Sequence, residues 1–255
     1  MPDCETTPLA LIVLHGADRL AYLQGQITQD TRALPTDRAT PAALLTPQGR
    51  VIATLWLLPT AEQIALAMPA SLVERVHAHL MRSILRAKVT LTLATMDRTH
   101  ADMIAHTVGD PALAAVLLSG PIDTWTHALI TKGRAEITDA TCDSWIPQML
   151  NLDLINAVSF SKGCYTGQEI VARTQHLGRI KRRLARFSGH ATALPAAHSA
   201  VLHGADKVGE VVNAVNHDQV LSLLAVIQID RLQQPLTLED GTVLTPQPLP
   251  YALTA

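Results

Sequence analysis

The stretch Ser161-Lys162-Gly163-Cys164-Tyr165-Thr166-Gly167-Gln168-Glu169-Ile170-Val171-Ala172-Arg173 constrains this chain more than any other, because it sets reactive side chains between backbone-shaping ones. Gly163 and Gly167 permit backbone angles or close approaches that a Cβ forbids, so the spacing predicts a tight loop carrying Cys164 and Tyr165. Thr166 with Glu169 makes a capping-box pattern, followed by apolar Ile170, Val171 and Ala172. That predicts a helix from about Gly167 with Thr166 as its N-cap. Such a loop delivers Cys164 to a helix N-terminus, where unpaired N–H groups and the helix dipole favour a thiolate. Lys162 adds a positive charge close by. A buried, inert cysteine beside a helix cap is the competing reading of the same residues.

A chain of 255 residues, 48% hydrophobic and 16% charged, can bury a large core and is not globally disordered. The formal net charge of −2 gives no global reason for nucleic-acid binding, so any such affinity needs a local patch. Three cysteines, at positions Cys4, Cys142 and Cys164, are too few and too scattered for a disulfide framework or a four-thiolate zinc site. They read as reduced thiols of a cytoplasmic protein. Met1-Pro2-Asp3-Cys4-Glu5 has neither the basic nor the apolar region of a signal peptide, and Arg, Asp, Glu, His or Pro interrupts each apolar run short of a membrane span. The expectation is a soluble, cytoplasmic protein with no membrane partner.

Residues 9–14 are a short apolar run that predicts a buried strand, and Leu20, Leu23 and Ile27 recur at helical spacing over 17–27. Gln24, Gln26, Thr28 and Asp30 cluster at the end of that helix, which on its own reads as a polar terminus and turn. Residues 42–46 and 51–58 predict two strands around a type I turn at Thr46-Pro47-Gln48-Gly49. A third strand is predicted at 64–68. Ser71-Leu72-Val73-Glu74 is another capping-box pattern, opening a helix with Leu72, Val76, Leu80 and Ile84 in one stripe, and 88–93 alternates as a strand. These segments predict an α+β lobe over residues 1–100. A second α+β lobe over 101–181 is expected to hold a strand at 103–108, a helix at 111–118, a strand at 125–130 and a loop at 131–144. Strands at 208–215, 220–229, 236–238 and 242–244, with turns at 216–218 and 239–241, predict a small all-β domain over 182–255.

Arg173, Arg179, Lys181, Arg182, Arg183 and Arg186 fall in a run without acidic residues, six of the chain's twenty lysines and arginines. They read either as a solvated face or as an anion-binding rim for carboxylates or a phosphate backbone. No aromatic is interleaved, so the stacking half of a single-strand RNA site is missing there. The eleven histidines show no metal signature, with His77 and His79 on different faces of their helix and read as surface residues. No nucleophile-elbow sequence marks a Ser-His-Asp triad.

The run Lys162-Gly163-Cys164-Tyr165-Thr166-Gly167-Gln168-Glu169 resembles the signature of the YgfZ family, the folate-binding relatives of the glycine-cleavage T protein. Three further segments agree in order: Gln24-Gly25-Gln26-Ile27-Thr28-Gln29-Asp30, Ile146-Pro147-Gln148-Met149-Leu150-Asn151-Leu152-Asp153 with Val158-Ser159-Phe160 after it, and Pro248-Leu249-Pro250-Tyr251. The resemblance covers nearly the whole chain. It implies an α+β, glycine-cleavage T-protein-like fold, with two α+β lobes and a small C-terminal β-barrel around a central cavity. It also implies tetrahydrofolate or a derivative in that cavity, with Leu9, Gln24, Gln26, Thr28, Asp30, Trp125, Asn151, Asp153, Tyr165, Gln168, Glu169 and Arg173 as binding candidates. Trp125 falls where family members place one of two tryptophans associated with the folate; Leu9 stands at the other position, an apolar wall without a stacking face.

By the same resemblance, Cys164 with Lys162 is the reactive group, and Cys164 is a candidate transient ligand of iron or an iron–sulfur cluster. One thiolate cannot hold a cluster alone, so a second protein or a small thiol must complete the coordination. The implied function is support of iron–sulfur cluster assembly or repair in client enzymes. Folate, iron–sulfur client or carrier proteins and tRNA-modifying enzymes are the implied partners. Two alternatives stay open. One is a tetrahydrofolate-dependent aminomethyl- or methyltransferase, against which Thr54 stands where the related aminomethyltransferases carry an aspartate. A neutral hydroxyl cannot supply the charge that an ionised carboxylate offers the departing amine. The other is a tRNA-binding accessory protein.

Overall fold

The computed structural model describes residues 8–176, 178–191, 193–217 and 220–253, so Cys4 and Asp218 of the expected 216–218 turn lie outside the described residues. Alternation along the strands decides which side chain meets which core. Strands β1 (Leu9–His15), β2 (Thr40–Leu45), β3 (Val51–Pro59), β4 (Gln63–Pro69) and β5 (Thr90–Ala94) form an antiparallel sheet in the order β2-β3-β4-β1-β5. In β1, Leu9, Leu11 and Val13 enter one core while Ile12 and Leu14 enter another. Both faces are covered, which is why β1, β3 and β4 read as near-continuous apolar runs. Helices α1 (Arg19–Gln24) and α2 (Val73–Ser83) pack on the Ile12 side, burying Leu23, Leu72, Val76 and Leu80. Helices α3 (Arg98–Val108), α4 (Leu113–Ser119) and α5 (Ile122–Thr131) cover the Leu9 side.

Two expected strands are corrected here. Residues 103–108 lie in α3, and 125–130 lie in α5. The Asp97 carboxylate accepts the His100 N–H at 2.9 Å to start α3, and Gly109 ends it at φ +79°. Between these caps Ala101, Ile104, Ala105 and Val108 repeat at helical spacing and are buried. A six-residue apolar window does not separate a period of 2 from one of 3.6, and the flanking caps settle it. The capping box at Ser71 does not form either: a 3-10 turn at Ala70–Leu72 leads into α2, whose N-cap Leu72 makes no side-chain bond.

Strands β6 (Arg182–Gly189), β7 (Ala200–His203), β8 (Asp206–His217), β9 (Val220–Gln228), β10 (Leu236–Leu238) and β11 (Val243–Gln247) close into a barrel in the order β10-β11-β6-β9-β8-β7. β6 and β7 are not among the strands the sequence predicts, and Asn216 and His217, expected in a turn, continue β8. Phe187, Leu221, Leu223 and Ile227 fill the barrel. Leu184, Val212, Val215, Leu224 and Val226 belong instead to the central core shared with the sheet, which seats the barrel on it. The Tyr251 hydroxyl donates to Gly133 O at 2.5 Å and accepts from Asn151 Nδ2 at 3.3 Å, tying the C-terminal Pro-Leu-Pro-Tyr segment to the loop after α5. Among the described residues no helix is long and apolar enough to cross a membrane.

Candidate functional site

Helix α6 (Gln168–His176) follows the signature loop and begins one residue later than expected, because Gly167 holds φ +81°. A Cβ on Gly167 would stand 2.5 Å from Thr46 O and 3.1 Å from Gly49 Cα. The two glycines let backbone touch backbone, which locks the start of α6 onto the β2–β3 turn. Gly163 has open space where its Cβ would be, so packing does not require it to be glycine. The expected Thr166–Glu169 box is replaced. Gln168 Oε1 accepts the Tyr165 N–H at 3.2 Å, and Glu169 pairs with Arg173 at 2.9 Å on the exposed face. Cys164 is exposed and free, which removes the reading of a buried structural cysteine.

Lys162 Nζ donates to Ile27 O at 2.6 Å and to Gln29 O at 2.7 Å, and lies 4.9 Å from the centroid of the Tyr165 ring. Burial lowers its ammonium to about 8, while two carbonyl acceptors and a ring face hold the charge in place. Lys162 is thus a clamp that fastens the loop of Cys164 to the 27–29 segment. Burial also pushes the Tyr165 hydroxyl up to about 12, leaving it a neutral wall.

A cleft opens beside that clamp. Its outer part, about 420 Å³, is bounded by Gln29, Asp30, Arg38, Pro41, Arg134 and Asn156. Pro41, Arg134 and Ile155 continue into a narrow inner slot lined by Thr54, Trp56 and Glu136, with about 20 Å³ of room, enough for roughly one water. The Arg134 guanidinium lies 5.2 Å from the centroid of the Trp56 ring, and burial lowers its pKa. Glu136 is partly open to the slot yet ringed by protein. Desolvation raises its carboxyl to about 7, opposed by a hydrogen bond from Trp125 Nε1 at 3.0 Å. A carboxyl so placed exchanges a proton near neutrality. Asn213 of β8 holds the Glu136 backbone on both sides, accepting its N–H at 3.0 Å and donating to its carbonyl at 2.8 Å. Thr54 Oγ1 accepts the Ile137 N–H at 3.2 Å, so β3, residues 134–137 and the barrel meet around the slot.

Sequence reasoning passed over Arg134 and Glu136, which lie in the segment read as loop. One signal was present: charged Arg134 and Glu136 alternate with apolar, buried Ala135 and Ile137, a period of 2 over four residues.

The other candidates take up contacts that hold the fold. Thr28 is fully buried, its Oγ1 accepting the Ala43 N–H at 2.8 Å and donating to Ala157 O at 2.6 Å. Gln24 Oε1 accepts from Thr31 N and Oγ1, and its Nε2 donates to Asp30 Oδ1 at 3.1 Å. Asp30 caps the 3-10 turn Thr31–Ala33 and lines the cleft lip, and hydrogen bonds from Arg32 hold its carboxyl well below the usual range. Half-buried Gln26 lies between them in the turn that Lys162 grips. Leu9 and Trp125 are buried in the same core under α3–α5, so only the indole N–H of Trp125 reaches the slot, through Glu136. Asn151 is fully buried at φ +57° and donates to Leu184 O at 2.9 Å. Asp153 receives two hydrogen bonds from Arg183, at 2.6 and 2.9 Å, joining the segment upstream of the signature to β6.

The basic run divides. Arg183 is buried on Asp153, Arg173 pairs with Glu169 and Arg186 is half-buried, while Arg179, Lys181 and Arg182 are exposed. Cys142 is half-buried 3.5 Å from Asp143 Oδ1, and burial, then the Asp143 charge, pushes its thiol up to about 11. That makes it a poor thiolate near neutrality. His77 and His79 are half-buried rather than on the surface, and among the described residues no three His, Cys, Asp or Glu side chains could hold a metal ion together.

Ser144 Oγ lies 3.2 Å from His198 Nε2, whose Nδ1 lies 3.1 Å from Glu210 Oε2, the order of a hydrolytic triad. Ala140 O also lies 3.2 Å from His198 Nε2. A carbonyl only accepts, so in the tautomer that satisfies Ala140 O, Nε2 is a donor and takes no proton from Ser144. The line is a latch between the barrel and residues 140–144.

No family model matches the chain. It is 28% identical over 307 aligned residues to tRNA-modifying protein YgfZ of Yersinia enterocolitica, covering 96% of this chain and 91% of that protein. It is 29% identical over 304 residues to the protein of the same name from Yersinia pestis, covering 96% and 90%. In structure it superposes on the glycine cleavage system aminomethyltransferase T of Bartonella henselae with a TM-score of 0.64 at 11% identity, covering 94% of this chain and 83% of that one. The chain is a relative of the YgfZ proteins that carries the fold of the glycine-cleavage aminomethyltransferases.

Proposed function

We propose that this chain binds a reduced folate in the cleft and presents Cys164 beside it, supporting assembly or repair of iron–sulfur clusters in cytoplasmic client enzymes, tRNA-modifying ones among them. One observation carries the reading: Lys162 fastens the exposed Cys164 loop to the carbonyl of Gln29, a wall of the cleft that holds Arg134 and Glu136. Ligand and thiol would then share one rigid support. The name borne by the Yersinia relatives supports the class of client. A reduced pterin presents adjacent ring N–H donors and a carbonyl, complementary to a carboxyl and a guanidinium. The outer cleft lies in the size range of small-ligand sites, and seating a ring against Glu136 requires the inner slot to widen. Cys164 supplies a single thiolate, so a client, a carrier or a small thiol contributes the remaining cluster ligands.

Calorimetric titration with tetrahydrofolate tests the first half. Saturable binding that weakens in Arg134→Ala and persists in Cys164→Ser is expected; no binding by the unaltered protein refutes it. Cluster content of an oxidatively damaged client, followed by its visible absorbance, tests the second half, and recovery should disappear in Cys164→Ser.

Glu136 favours a second reading, a folate-dependent aminomethyl or methyl transfer. Its carboxyl stands in the slot with Thr54, where it can supply the charge that a hydroxyl lacks. Conversion of tetrahydrofolate to its methylene or methyl form by an aminomethyl or methyl donor, lost in Glu136→Gln, would establish that reading.

A further inference from the structure

The cations that the cleft does not use lie together elsewhere. Arg179, Lys181 and Arg182 are exposed at the start of β6 and line a groove of about 680 Å³ with Gln228 and Asp230. None of the three forms an ion pair among the described residues, whereas Arg173 and Arg183 of the same run are both paired. The backbone of Lys181 and Arg182 is anchored to β9 and the turn after it. Arg182 pairs with Gln228 in the β6–β9 ladder, and the Ile229 N–H donates to Lys181 O at 3.0 Å. Three like charges on so short an edge repel one another, and among the described residues Asp230 is the single carboxylate lining the groove.

A partner with one negative charge leaves most of that repulsion in place. Phosphates repeated along a backbone relieve it, each meeting a cation and releasing a condensed counterion. Among the described residues no aromatic lines the groove, so it offers cations for phosphates and no aromatic platform for bases. The glutamate tail of a folate is another anion, but the groove shares no lining residue with either part of the cleft.

We propose that the Arg179–Lys181–Arg182 groove binds the phosphate backbone of RNA without sequence preference, separately from the cleft. This deepens the tRNA-related part of the proposed function, on which it rests, and is independent of folate binding.

Fluorescence anisotropy with bulk tRNA, from about 50 to about 200 mM salt, compares the unaltered chain with the triple variant Arg179→Ala, Lys181→Ala, Arg182→Ala. Each lost phosphate contact lowers the slope of log affinity on log salt by about 0.7–0.9. Across that range the unaltered protein should therefore lose roughly 20- to 40-fold more affinity than the variant. Equal slopes, or no tRNA binding by the unaltered chain, overturn the proposal. Tetrahydrofolate titrations of both proteins separate the two readings. A groove effect on tRNA with no folate binding refutes the cleft and leaves the groove standing. A variant that loses polyglutamylated tetrahydrofolate while keeping the monoglutamate gives the groove to the folate tail and overturns the RNA assignment.

Discussion

Asp153→Asn probes the junction that holds the signature segment on the barrel. In the native protein both Asp153 oxygens are occupied by Arg183, at 2.6 and 2.9 Å, and Arg183 Nη1 also donates to Gln148 O at 2.8 Å. The two side chains are 7% and 3% exposed, so water replaces nothing that is lost. An asparagine turns one acceptor into an NH2 group facing an arginine N–H, and leaves the guanidinium uncompensated. Removing one partner of such a buried pair costs about 3–5 kcal/mol. For a chain of this size that lowers the melting temperature by roughly 6–20 °C. Arg183→Met should cost a similar amount. The double variant Asp153→Leu, Arg183→Met should be more stable than either single one, because no lone charge remains buried. Urea unfolding followed by circular dichroism measures all three. Single variants within about 1 kcal/mol of the native protein, or a double variant at the sum of the singles, would refute the argument. Tetrahydrofolate affinity should be unchanged in folded Asp153→Asn; its loss without a loss of stability would make Asp153 a ligand contact after all.

Gly167→Ala must hold an L side chain near φ +81°, at about 1–2 kcal/mol, and force its Cβ away from Thr46 O, at about 1–3 more. Gly163→Ala, in open space, should cost about 0.5 kcal/mol or less, and equal costs in chemical denaturation would contradict the packing described. Burial raises the Glu136 carboxyl from 4.5 to about 7, so the folded chain keeps a proton that the unfolded chain releases. That contribution is complete below about pH 4.5 and is lost as pH rises through about 7. The melting temperature of Glu136→Gln should therefore gain on the native protein between about pH 5 and pH 8, and a constant gap tells against a buried carboxyl. Iodoacetamide on the native protein, read by peptide mapping, should label Cys164 well before Cys142, whose thiol is half-buried and pushed up to about 11. The reverse order would mean that the signature loop is closed in solution.

Local rules carried the parts of the fold in which neighbours in sequence decide the outcome. Strands β1 to β4 follow from apolar runs and turn residues, and the Gly49 N–H closes the Thr46 turn at 2.9 Å as its residue types imply. Helices α3 and α5 escaped because their apolar windows are shorter than the length over which the two periodicities separate. The signature loop was legible from its own residue types, and the likeness to the YgfZ family was carried by the match of that run and three further segments to the family's motifs. The choice of partner for each polar side chain was not legible. Lys162 lies 135 residues from Ile27, the carbonyl it grips, Asp153 lies 30 from Arg183, and Glu136 lies 77 from the Asn213 that holds its backbone. A charged group binds whatever donor or acceptor the packed core brings within about 3 Å, and no local pattern records that approach. The sequence by itself thus determined strands β1 to β4, the likeness to the family's motifs and the special loop at Cys164. Tertiary packing alone decided that Lys162 clamps, that Asp153 braces, and that Arg134 and Glu136 form the wall of the cleft.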